Sequence, residues 1–172
     1  MSTLKVNTIQ EADGSAFPFI GMQDSWMITS SFNANGEADM TSNWGKHSAG
    51  STGQGNIGTG MSESSGIFSF PSTGIYLVIS TLVASCNGGR TFVGMRQKFT
   101  TDGSNFTENV EFFGNGYQNT AFITVNGCAV YDVTNTSTHK IKFQHNISDT
   151  VSLKGYSNKK ATGVTFTKLG ET

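Results

Sequence analysis

At 172 residues and 18.3 kDa the chain has the length of one domain plus a short arm. Only 13% of its residues are charged, and eleven Lys and Arg stand against twelve Asp and Glu. That balance excludes a nucleic-acid-binding stripe and a polybasic membrane patch. Ser, Thr, Asn and Gly supply 77 residues, whereas Leu occurs five times and Ala nine times, so good helix formers are scarce. Phe, Ile and Val carry the apolar content and favour strands.

The opening Met1 to Val6 lacks the apolar stretch of a secretory signal. Residues 1–24 read as an arm and linker, in which Leu4, Val6 and Thr8 alternate with Lys5 and Asn7. A lone strand leaves its backbone groups unpaired, so this arm needs a partner element. Residues 25–172 form the head. Trp26 to Phe32 is a predicted strand and Asn33 to Asp39 a turn region. The glycine-rich stretch from Gly45 to Gly66 reads as loop with short strand pieces. Ile67 to Phe70 is a short strand stopped by Pro71. Ile75 to Ser85 is the strongest strand; it is apolar on both faces, which predicts a central strand covered on both sides. It is too short to span a bilayer as a helix, which takes about 20 residues.

Thr91 to Thr100 and Phe106 to Phe113 form a hairpin around Asp102-Gly103. Ala121 to Val125 and Cys128 to Thr134 are read as separate strands with a turn at Asn126-Gly127. His139 to His145, Val151 to Tyr156 and Gly163 to Leu169 complete nine or ten short strands. The expected fold is all-β: a two-sheet antiparallel sandwich of the jelly-roll or Greek-key type.

Reactive groups are sparse. Gly53 to Gly58 spells G-x-G-x-x-G, but no helix pattern follows it and no acidic residue lies about 20 positions on, so it is no dinucleotide motif. His47, His139 and His145 lack metal-ligand spacing. Glu108 and Glu111 are three apart, which places them on opposite faces of a regular strand. Asp102 to Asn105 lacks the acidic density of a calcium loop. Cys86 and Cys128 read as two free thiols. No catalytic residue, metal or cofactor is expected, and the chain does not read as an enzyme.

Two stretches carry a resemblance. Gly66, Phe68, Pro71, Gly74 and Tyr76, followed by the long apolar strand, match the G-x-F-x-x-P-x-x-G-x-Y signature of the complement-q-type head. The region 25–169 thus resembles the tumour-necrosis-factor-like jelly roll. That resemblance implies a homotrimer packed around a threefold axis, with Tyr131 and Phe166 as axis candidates. The opening Ser2 to Gln10 resembles the leader of virion structural proteins of tailed phages, especially marine cyanophages.

Together the two imply a virion protein made in the host cytoplasm, a tail fibre tip or accessory subunit that mediates host attachment. Leu4, Val6 and Ile9 would dock the arm onto other virion proteins by strand addition. Loops 45–66, 86–90 and 114–119 would face outward. A host-surface glycan or protein would be met by Trp44 (beside Asn43), or by Tyr117 and Asn119. The alternatives are a cement or decoration subunit that binds only virion partners, and a lectin-like carbohydrate-binding module. Neither nucleic acid nor membrane insertion is expected.

Overall fold

The computed structural model describes residues 20–46, 55–86, 91–116 and 122–172. These form eleven strands and no helix. They are β1 (Met22–Ile28), β2 (Phe32–Asp39), β3 (Trp44–Lys46), β4 (Ser62–Ser64), β5 (Ile67–Ser69), β6 (Gly74–Cys86), β7 (Thr91–Thr100), β8 (Thr107–Gly116), β9 (Phe122–Val133), β10 (Lys140–Leu153) and β11 (Gly163–Gly170). One layer runs β3-β1-β11-β6-β9. The other is built on β10, which carries β2 and β5 along one edge and β7 then β8 along the other. All pairings are antiparallel. The end of β10, at 151–153, bends over to pair with β6 and joins the layers into a nearly closed barrel.

Alternation fills the space between the layers. Tyr76, Val78, Leu82 and Ala84 of β6 face Val93, Met95 and Phe99 of β7, and all are buried. Phe68, on the three-residue β5, is the aromatic hub. Its ring centroid lies 5.1–5.6 Å from those of Trp26, Trp44, Phe143 and Phe166. One polar network crosses this interior. The Tyr131 hydroxyl donates to Gln97 Oε1 (2.9 Å), and Gln97 Nε2 donates to Ser80 Oγ (2.8 Å). Gln97 comes from one layer and its partners from the other, so a satisfied buried amide fixes how the layers meet. At the barrel's edge, the buried Asp24 accepts from Trp26 Nε1 and from the backbone amide of Met61.

The register defines two poles. Ile20 and the C-terminal Thr172 lie beside Met22↔Lys168 and Ile75↔Gly170. The opposite pole holds Ser85↔Phe122, Thr91↔Gly116 and Met27↔Gly163.

Several sequence expectations change. Asn33 to Asp39 is not a turn but most of β2, because pairing with β10 overrides weak local propensity. Asn126-Gly127 does not turn the chain. It lies inside the continuous β9, where a Cβ on Gly127 would sit 2.1 Å from the ring of Phe112. The glycine there admits an aromatic ring against the strand. Glu108 and Glu111 are not divided between faces. A bulge skips Asn109 in the β7–β8 pairing, and both carboxylates reach Arg96. One expectation holds: Cys86 and Cys128 are free thiols, one buried and one exposed. Lastly, β6 is covered on one side only.

Candidate assembly face

The uncovered side of β6 sets the site. Ile75, Leu77, Ile79, Thr81 and Val83 point away from the barrel interior, and Ile79 is 43% exposed. The neighbouring β9 adds Phe122, Thr124, Asn126, Cys128 and Val130 to the same side, with Val130 59% and Phe122 69% exposed. From β11 come Thr165, Thr167 and Leu169. Period-2 alternation alone dictates this grouping. Among the described residues, the outward positions of this layer's strands carry one charged side chain, Asp132, at the end of β9.

The other layer turns a different surface outward. Arg96 lies among Glu37 (2.7 Å), Glu108 (3.1 Å) and Glu111, and it also donates to Gln144 Oε1. Lys142 pairs with Asp39 at 2.6 Å. The glutamates, Glu37 foremost, raise the guanidinium well above its ordinary value, and Arg96 in turn lowers Glu37. So one outward face is laced with ion pairs, as a solvated sheet is. The other is apolar and neutral, the composition of a surface core that another protein covers.

Two lysines reach over this face: Lys154, whose Nζ lies 5.9 Å from the Phe122 ring centroid, and Lys160. Lys160 Nζ donates to Thr165 Oγ1 (2.7 Å), the Val164 carbonyl (2.8 Å) and Ser25 Oγ (3.0 Å). Its three donors are used, but no carboxylate among the described residues pairs with it. Burial pushes it down to about 8. The folded chain therefore releases this proton above about pH 8, while the unfolded chain holds it to about 10.4. Stability is lowest below pH 8 and rises between those values. In urea titrations at pH 7.5 and 9.5, the native chain should gain up to about 2 kcal/mol relative to Lys160→Met. Parallel pH responses in the two proteins would show that Lys160 is not buried as described.

The structure corrects the axis candidates. Tyr131 and Phe166 lie inside the barrel, 5% and 0% exposed, and neither can reach a second chain. Tyr131 shares the inward side of β9 with Ile123, Val125 and Val133; Phe166 shares that of β11 with Val164. Their outward neighbours, Val130 and Ile79 above all, are the exposed apolar residues that sequence reading missed. Strand parity was the signal that could have found them.

Trp44 is half-buried. Its ring meets Phe68 edge-on at 5.1 Å, and its indole donates to the Met40 carbonyl (2.6 Å), so it serves the core and not an open platform. Tyr117 and Asn119, with the arm residues Leu4, Val6 and Ile9, lie outside the described residues, as do His47 and the first two positions of the Gly53 motif. No group of three or more His, Cys, Asp or Glu among the described residues could hold a metal ion. No helix there is long and apolar enough to cross a membrane.

No protein-family model matches the chain, and no curated protein matches its sequence. Solved structures do match in shape. The Eiger TNF of S. frugiperda is similar over 91% of this chain and 96% of its own, at 12% identity and a TM-score of 0.65. Murine APRIL is similar over 86% of this chain and 99% of its own, at 13% identity and a TM-score of 0.61.

Proposed function

We propose that the chain, whose fold is a tumour-necrosis-factor-like jelly roll, is a non-enzymatic structural and attachment protein of a phage particle, a homotrimer closed by the neutral face of β6, β9 and β11. The open apolar side of β6 carries this reading. A strand apolar on both sides belongs in the middle of something, and one chain covers only half of it. The signature from Gly66 to Tyr76 supports a threefold arrangement, and the leader from Ser2 to Gln10 supports a virion setting.

The poles assign the ends. Ile20, where the arm joins, lies at the pole that also holds the C-terminus. An anchored arm would therefore leave the opposite pole facing away from the particle. Three copies of that pole on one axis bind a repetitive surface with avidity, so each copy can bind weakly.

Deletion of residues 1–16 tests the arrangement. The shortened chain should melt as the full chain does and be absent from purified particles. Its continued incorporation would refute arm anchoring, and an unfolded product would refute an independent head.

A further inference from the structure

At the pole away from Ile20 and Thr172, β7 and β8 set three residue pairs side by side on the outward face: Phe92↔Asn115, Gly94↔Phe113 and Arg96↔Glu111. The Phe113 ring lies directly on Gly94. A Cβ there would stand 2.3 Å from two of its ring carbons, so only glycine leaves the ring a seat on the strand. Phe92 meets that ring edge to face, with centroids 5.5 Å apart at 89°. Phe113 is nevertheless 49% exposed. Phe92, Phe113 and Asn115 line a hollow of about 290 Å³.

From this geometry we infer that the hollow is a binding site for one neutral hexose residue of a surface glycan. A sugar ring has an apolar face of C–H groups whose partial positive charge suits the negative face of an aromatic ring. Its hydroxyls project at the edge and need paired donors and acceptors. Asn115 supplies both, and it stands exposed directly opposite Phe92. Ser148 Oγ accepts the Phe92 backbone amide (3.0 Å), which leaves its own hydrogen to donate outward. Neutrality follows from the next pair along the ladder. Arg96 stands among three carboxylates, Glu37, Glu108 and Glu111, so the charge beside the hollow is net negative and disfavours an acidic sugar.

Size favours a small ligand over a protein partner at this spot. A hollow of that volume is at the small end of small-molecule sites. Two phenylalanine rings fall far short of the roughly 1,200 Å² that a specific protein interface buries. The site lies on the opposite layer from the assembly face, so trimer formation leaves it open. The inference rests on the attachment reading for its biological meaning, but not for its geometry.

The test is a printed array of neutral (glucose, galactose and mannose) and acidic (sialylated and uronate) oligosaccharides probed with the full chain. Particle adsorption to host cells is measured in parallel. Binding to a neutral class is expected. Phe113→Ala should weaken it by at least about tenfold. Gly94→Ala, which dislodges the ring without removing it, should do the same. Lys140→Ala, at the far end of the sheet, should bind like the native chain. Both site variants should stay folded and melt within about 5 °C of the native chain, since the Phe113 ring that each removes or displaces is half exposed. A silent array, binding of acidic glycans alone, or undiminished binding by both variants overturns the site. If adsorption persists in those cases, the attachment reading survives it. Glycan binding that the variants abolish, with adsorption unaffected by loss of the protein, would uphold the site and overturn the attachment reading.

Discussion

Val130→Asp should turn the proposed homotrimer into a folded monomer. Val130 is 59% exposed in the single chain, so a carboxylate there meets water and costs the monomer almost nothing. In the assembled state the same carboxylate would be buried against Leu77 and its β6 neighbours, two positions from Asp132 on the same side of β9. Threefold symmetry would repeat it three times around one axis. An unpaired buried carboxylate costs several kcal/mol even after relaxation, and three of like sign repel. Dissociation should therefore strengthen by more than about 1,000-fold, at 1.4 kcal/mol per tenfold. Light scattering on a sizing column should give the mass of one chain, with a melting temperature set by the monomer alone. Lys98→Glu, on the ion-paired face, should leave the native mass unchanged. If Val130→Asp keeps the native mass, the neutral face is not the interface.

Phe68→Ala should cost about 3–5 kcal/mol of folding stability. The ring is fully buried and is the one group that touches Trp26, Trp44, Phe143 and Phe166 together. Those four come from β1, β3, β10 and β11, so the cavity would open between the layers where neither can collapse. For a domain of this size the loss corresponds to roughly 10 °C in melting temperature. Urea titration should show a lower midpoint with an unchanged slope. A cost below about 1 kcal/mol would mean that neighbouring side chains refill the space, and Phe68 would not be the hub.

Much of the architecture was legible in the residues. The Phe, Ile and Val content gave strands, and Pro71 gave the end of β5. The stretch from Gly66 to Tyr76 gave the jelly roll, and the apolar run from Ile75 to Ser85 gave the long strand β6, although the single chain covers only one of its sides. Illegible were the features that only pairing creates. Asn126-Gly127 has the chemistry of a turn, and nothing local says that the Phe112 ring occupies the glycine. The skipped Asn109, which brings Glu108 and Glu111 to one arginine, follows from the β7–β8 register and not from the spacing of the glutamates.

Tyr131 and Phe166 fail as axis candidates for a different reason: the alternation of their own strands turns them inward, which a family resemblance does not specify residue by residue. In the same way, the Phe113 platform depends on its seat over Gly94, a cross-strand relation. Trp44 looked better by composition, yet it was already spent on Phe68 and the Met40 carbonyl.

Sedimentation equilibrium of the native full chain at micromolar concentration addresses the threefold assembly most directly. The account predicts a single species at three times 18.3 kDa, independent of rotor speed. A species at 18.3 kDa would leave the apolar side of β6 facing water and contradict it.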